Sequence, residues 1–297
     1  MKRLSIIIVT YNSERDIYDC LSAIRQYSDL PADELEIIIT DNNSRQTDAM
    51  FSEIHNRFGD DIVLLKNTRN GGYGQGNNIG IRRASAPVIL IMNPDVRLME
   101  PVFQTVLHAF DDNSRLGMYG MKQMLSPTEP STNSFSCTSM MNGYLATVLT
   151  ALCNRTGLYL RRYMYLSGSC FFIRKQMFEE VGLFDEDIFM YGEEDDIHHR
   201  MLKRFDCHMT FNPSLHYIHL SKERQPDLEY EKRVFRSVCA MLQKKGYPKE
   251  SFIHNRLQST NIQLWREQLR TALGKGNPAL MKVLKDFRQY LKNPLCQ

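Results

Sequence analysis

Three short runs in the first third of the chain are apolar at nearly every position: residues 4–9, 35–40 and 88–92, with a weaker fourth at 62–65. β-Branched runs of this length read as buried strands. Helical stretches separate them, one from an Asn12 or Ser13 cap to about Tyr27, one after Ser44 and one over 77–84. Strand–helix alternation with near-continuous apolar strands predicts an α/β domain whose parallel sheet is covered on both faces. Ligands of such sheets bind beyond the carboxyl ends of the strands. The polar clusters at 10–12, 41–44 and 93–95 fall at those ends, although each alone is also ordinary turn chemistry.

The pattern changes further along. Residues 126–131 read as a loop, and residues 140–162, which carry Arg155, Arg161 and Arg162, read as either a mobile lid or a packed helix. Glu193, Glu194, Asp195 and Asp196 follow Gly192 at the start of a helix whose Ile197, Met201 and Phe205 form an apolar stripe. Glu193 and Glu194 flank the buried edge of that stripe, Asp195 projects away from it, and Asp196 can pair with Arg200. Like charges this close call for a cation, a proton to take, or solvent. They could also simply complement the helix dipole, at about 0.3–1 kcal/mol each when exposed. From about Lys222 the chain reads as helices over 228–245, 263–273 and 278–292. The last sets Leu280, Val283, Leu284, Phe287 and Leu291 against Lys282, Lys285, Arg288 and Lys292. Such a basic amphipathic helix docks on its own protein, on a second subunit as a homodimer, or on an anionic membrane.

At 297 residues the chain holds one large α/β domain, expected over 1–221, and a helical extension over 222–297. A net charge of +3 argues against nucleic acid as a partner. Seven cysteines without paired C-x-x-C spacing point to free thiols in a reducing compartment, and no zinc spacing joins them to the histidines. No run approaches the roughly 20 apolar residues of a membrane span, and residues 4–9 lack the longer apolar core and small-residue cleavage site expected of a secretory signal. The expected location is cytoplasmic, with peripheral contact at the inner face of the cell membrane left open. The glycine-dense segment 70–80 opens a helix and suits an anion. It follows neither a dinucleotide fingerprint nor a Walker loop.

Seven segments in order carry a resemblance. They are residues 5–12, Thr40-Asp41-Asn42-Asn43-Ser44, the glycine segment, residues 90–95, residues 167–174 with 181–186, the acidic cluster, and residues 213–219. Together they resemble the family 2 inverting glycosyltransferases of the GT-A fold, especially the bacterial branch that includes rhamnosyltransferase-like enzymes. The match runs over roughly residues 3–220. The resemblance implies a nucleotide-diphospho-sugar transferase fold, a mostly parallel central sheet flanked by helices, with a helical C-terminal extension. It implies metal-dependent (Mg²⁺ or Mn²⁺) transfer from a nucleoside-diphosphate sugar to a hydroxyl of a saccharide or lipid-linked saccharide, in surface polysaccharide synthesis.

By position, the resemblance puts Thr10, Tyr11, Asn12 and Glu14 at the nucleotide. Asp41 would accept hydrogen bonds from its base, and Asn77 and Asn78 would sit beside it; an Asx turn and a helix cap are the ordinary alternatives. Asn93 and Asp95 occupy the Asp-x-Asp metal motif, whose first Asp is commonly Asn in this branch. One carboxylate suffices when phosphates and water supply the other oxygens. His219 matches a histidine that reaches the metal or diphosphate; His216 is nearby, but the register from Pro213 favours His219. Ser167, Gly168 and Cys170 lie toward the acceptor. The family pattern Gly-Glu-Asp-x-Asp puts Glu194, one methylene longer than the family residue, at the general base. Glu193 and Asp195 are alternatives, and Asp196 completes the catalytic set. Two rival readings remain. One is a non-catalytic nucleotide-sugar-binding homologue, suggested by Glu194. The other is a sugar nucleotidyltransferase, which would usually show a basic Gly-rich loop where this chain has Thr10-Tyr11-Asn12-Ser13.

Overall fold

A computed structural model describes residues 1–220 and 225–293. The N-terminal third contains β1 (Leu4–Thr10), α1 (Glu14–Tyr27), β2 (Leu35–Asp41), α2 (Thr47–Phe58), β3 (Ile62–Lys66), α3 (Gly72–Arg83) and β4 (Val88–Met92). Next come β5 (Val96–Leu98), α4 (Phe103–Asp112), β6 (Leu116–Ser126), β7 (Glu129–Pro130), β8 (Phe135–Cys137) and α5 (Gly143–Thr156). Then follow β9 (Met164–Leu166), β10 (Cys170–Arg174), α6 (Lys175–Glu180), α7 (Glu193–Phe205) and β11 (His208–His219). The chain closes on α8 (Leu228–Lys244), α9 (Lys249–Ala272) and α10 (Pro278–Leu291).

The central sheet runs β3-β2-β1-β4-β10-β6-β11-β5, with β7 pairing with β6 and a separate two-stranded sheet of β8 and β9. Its first four strands are parallel. β10 is antiparallel to both of its neighbours, and β11 is parallel to β6 but antiparallel to β5. The parallel sheet expected from the first third is therefore one half of a mixed sheet. Alternate residues of each strand enter different cores: Ile6, Ile8, Leu90 and Phe172 on one face, Ile7, Ile38, Ile91 and Phe171 on the other. Burial of both faces is why these strands are apolar throughout rather than alternating.

Several expectations about elements change. The helix expected over 77–84 begins at Gly72, so the glycine-dense segment is its first turns rather than a loop before it. Gly72 has φ +89°, and a Cβ there would overlap the backbone of Phe189, whose carbonyl accepts from Tyr73 N–H at 3.0 Å. The helix expected over 263–273 is the end of the 24-residue α9. Residues 126–131 form a tight β6–β7 hairpin, and residues 140–162 hold the helix α5, which packs on β8 and α9.

Helices α8 to α10 build their own core around Phe235, Phe252, Phe287 and Leu291, joined by Ile188. The apolar face of α10 is thus occupied by its own chain. The division expected at 221/222 lies outside the described residues. The six described cysteines are free and buried. Among the described residues no helix is long and apolar enough to cross a membrane.

Candidate active site

The carboxyl ends of β1, β2 and β4 open into a cavity of about 760 Å³. One wall carries Tyr11, Ser13, Asp16, Asn42 and Asn70; Asn93, Pro94, Asp95 and His219 line another part. The 167–169 turn before β10 and Glu193 and Glu194 of α7 complete the lining with Tyr73, Met190, Tyr191 and Tyr230. Strand ends place the first group, as the parallel topology requires. β11 delivers the histidine: its last residues pair with β5, so His219 lies opposite Val96 and beside Asp95.

Asp95 Oδ1 stands 3.3 Å from His219 Nε2, and both side chains are partly exposed to the cavity. Among the described residues no cluster of three or more His, Cys, Asp or Glu side chains could hold a metal. Two groups fill only part of the coordination sphere of a hard cation. The donor set therefore fits a metal shared with ligand oxygens, not one caged by protein. His216 is instead bound to Glu100, with its ring Nδ1 2.9 Å from the carboxylate.

The four carboxylates of α7 have four different surroundings. Glu193 is 1% exposed, and its Oε1 has no hydrogen-bond partner. Burial, and then the charge of Glu194, hold its pKa well above the ordinary value. Glu194 is also raised, by burial and then by Asp195. Its carboxylate packs where a Cβ at position 168 would lie, so Gly168 is the residue that makes room for it. Tyr73 braces the same turn by donating its hydroxyl to Gly168 O at 2.6 Å. The approach to α7 is strained: Tyr191 has φ +73°, a left-handed conformation that costs a non-glycine residue about 1–2 kcal/mol.

The other two acids point elsewhere. Asp195 is buried rather than projecting outward, and accepts from Ser139 N–H at 2.9 Å. Asp196 accepts from Arg200 Nε at 2.8 Å and lies 3.1 Å from Lys245 Nζ. Held by these two cations, Asp196 is not among the residues lining the cavity, unlike the catalytic role expected of it.

Several expected contacts of the ligand are instead internal. Asp41 is fully buried; Oδ1 accepts from Thr10 Oγ1 (2.8 Å) and Ser44 Oγ (2.6 Å), and Oδ2 from Ser44 N–H (2.8 Å) and Thr47 Oγ1 (2.6 Å). With both oxygens engaged twice, it organises the loop and offers no free acceptor to a base. Thr10 belongs to the same network. Asn12 (φ +50°) joins that loop through its N–H to Ser44 Oγ and its Oδ1 from Arg45 N–H. Asn78 clamps the 184–186 segment, donating to Phe184 O and Glu186 Oε1 and accepting from Phe184 N–H. Asn77 donates to Tyr73 O. Cys170 faces the core, and burial raises its thiol pKa. Glu14 opens α1 without lining the cavity. Of the expected set, Tyr11, Asn93, Asp95, Ser167, Gly168, Glu193, Glu194 and His219 line it.

The sequence reading missed Tyr73 and Tyr230. Tyr73 sits inside the glycine segment, and its aromatic ring is visible there only once the helix is known to start at Gly72. Tyr230 comes from α8 and meets Tyr191 edge-to-face at 5.3 Å; no local signal connects it to a site so far back in the chain.

Residues 5–182 match the sequence profile of Glycosyl transferase family 2. The chain is 30% identical over 209 residues to the low-salt glycan biosynthesis hexosyltransferase Agl10 of Haloferax volcanii, covering 66% of this chain and 61% of that protein. It thus spans about three fifths of that relative's length. It is 26% identical over 224 residues to the N-acetylglucosaminyl-diphospho-decaprenol L-rhamnosyltransferase of Mycobacterium tuberculosis, covering 67% of this chain and 70% of that one. The solved mannosyltransferase PcManGT from Pyrobaculum calidifontis, in complex with GDP-Man and Mn²⁺, aligns with a TM-score of 0.59 and 16% identity over 99% of this chain and 81% of its own. At that identity the likeness speaks for the GT-A fold.

Proposed function

The chain belongs to Glycosyl transferase family 2, and on that premise we propose that it is an inverting glycosyltransferase. Its donor would be a nucleoside-diphosphate sugar and its acceptor a hydroxyl of a saccharide or lipid-linked saccharide, the class named by its relatives. The catalytic unit would span 1–221, with 222–297 as a helical extension that lends Tyr230 to the cavity wall. The observation that carries this reading is one cavity with Asp95 and His219 at one part of its lining and Glu193 and Glu194 at another.

In this reading the acceptor hydroxyl attacks the anomeric carbon from the face opposite the diphosphate. Its proton passes to the Glu194 carboxylate as the new carbon–oxygen bond forms and the bond to the diphosphate breaks. Glu194 is the better-placed base of the pair: its carboxylate packs beside Gly168 on the cavity lining, whereas Glu193 is 1% exposed and its Oε1 has no partner. The longer side chain at the position of the family aspartate is matched by the bare Gly168 beside it, which favours an active enzyme over a binding-only homologue. Asp95 and His219 would hold Mg²⁺ or Mn²⁺ together with donor oxygens, and the bound ion would offset charge on the departing diphosphate. Tyr11, 52% exposed on the cavity wall, offers a surface for the nucleoside.

A thermal-shift screen of nucleotide sugars with and without Mn²⁺ tests the reading. A true donor at 100 times its dissociation constant stabilises by about 2.7 kcal/mol, and Asp95→Ala should abolish the metal-dependent part. Steady synthesis of a nucleotide sugar from nucleoside triphosphate and sugar phosphate would overturn it in favour of a nucleotidyltransferase.

A further inference from the structure

Between Pro130 and Phe178 the chain contains no aspartate or glutamate, yet carries five Arg and Lys residues. The middle of this segment is α5, whose outer face exposes Tyr144, Leu145, Val148 and Leu152, the last two at 55% and 54%. Residues four apart lie one above the other on a helix, so these side chains form one apolar stripe turned to solvent. Arg155 extends it without an ion-pair or hydrogen-bond partner among the described residues, while Arg161 and Arg162 are engaged by Asp206.

A second stripe lies on α9, the helix that meets the start of α5. Gln258 of α9 accepts from Gly143 N–H at the start of α5. Steps of seven, eleven and fifteen residues return to nearly the same side of a 3.6-residue helix, which brings Trp265, Leu269 and Leu273 onto the line of Gln258. All three are exposed, Trp265 at 62%. Basic residues predominate around them, with Asp286 of α10 a half-buried exception. Arg266 and Lys275 are exposed, and Glu267 is buried against Arg270 and the N–H of Asn277. The outer face of α10 adds Lys282, Lys285, Arg288 and Lys292, its apolar side being already packed.

We infer that the α5–α9 face docks on an anionic lipid bilayer. Apolar side chains would enter the headgroup region while the basic residues of α9 and α10 meet lipid phosphates, a combination that favours interfacial binding over contact with neutral surfaces. A stripe of this chemistry has no need of the cavity or of its chemistry, so the inference stands apart from the proposed transferase reaction. It also moves any membrane contact away from the apolar face of α10.

Trp265 is the chain's single tryptophan and reports directly. Full-length protein titrated with phosphatidylcholine vesicles containing phosphatidylglycerol should show a blue shift of Trp265 emission and should co-float with the vesicles. Pure phosphatidylcholine should bind at least about fivefold more weakly for each basic residue in contact, and salt should narrow the difference. Val148→Asp with Leu152→Asp should lower anionic binding by about tenfold or more. These side chains are exposed, so the melting midpoint should stay close to wild type. No emission shift or flotation with anionic vesicles would overturn the inference, as would unchanged binding by the double variant. A vesicle-independent, concentration-dependent blue shift, lost in the double variant, would reassign the face to a second copy of the chain.

Discussion

Glu193 and Glu194 share one helical turn with Asp195 and Asp196, yet the two pairs do different work. The first pair lines the cavity, and among the described residues no Lys or Arg forms an ion pair with it. The second is spent on structure: Asp195 holds the backbone of Ser139, and Asp196 is clamped by Arg200 and Lys245. Charge, helix dipole and position in the first turn are common to all four. What separates them is the neighbours, which are supplied by segments far away in sequence: Gly168 for one pair, the 138–141 turn and α8's last turn with Lys245 for the other. Burial raises the pKa of both members of the first pair; the second pair is tied into hydrogen bonds and ion pairs.

The comparison can be broken from either side. The largest effect belongs to Glu194→Gln, which should lower turnover by roughly 10²–10⁴-fold while donor affinity by calorimetry stays near wild type. Equal losses in affinity and turnover would make Glu194 a binding residue instead. Next is Asp196→Ala, which leaves two cations facing each other at a buried site. It should cost about 3–5 kcal/mol in denaturant unfolding, and a near-neutral result would mean that the clamp is solvent-relaxed.

Gly168→Ala puts a methyl group where the Glu194 carboxylate packs. Overpacking of about 1–3 kcal/mol should appear as lost turnover, partly restored by the shorter Glu194→Asp in the double variant. Absence of any rescue would separate position 168 from the base. The smallest effect is that of Glu193→Gln on stability. A raised folded-state pKa means that the folded protein binds the proton more tightly than the unfolded chain. Stability from that group is therefore present at low pH and lost as pH rises toward the folded value. Glu193→Gln removes the loss, so its melting midpoint should exceed wild type by a few degrees at neutral pH and converge with it in acid.

Much of this was legible in the sequence where the physics is local. The apolar runs of β1, β2 and β4 and the Asn277-Pro278 start of α10 appear as read, because strand burial and helix capping act within a few residues. Asp95 and His219 came together from separate motifs, carried by family resemblance. What stayed hidden depends on distant partners. Nothing near Asp41 shows that Thr10, Ser44 and Thr47 consume its lone pairs, and nothing near Asp196 announces Lys245. The start of α3 was misplaced for a similar reason. Glycine disfavours a helix locally, but the backbone of Phe189 presses on Gly72 and leaves space for nothing larger.

In the proposed reaction Glu194 ionises beside a buried Glu193, and both carboxyls are raised by burial. The pH dependence of turnover for Glu193→Gln, laid over that of the wild type at saturating donor and acceptor, tests this most directly. Glu194 must be ionised to act as base, so turnover should rise with pH through a limb displaced above the ordinary glutamate range of about 4.3, the direction set by its burial. Because the neutral amide mimics a protonated Glu193, the two curves should coincide. A limb in the ordinary range, or one that moves when Glu193 is replaced, would contradict the assignment.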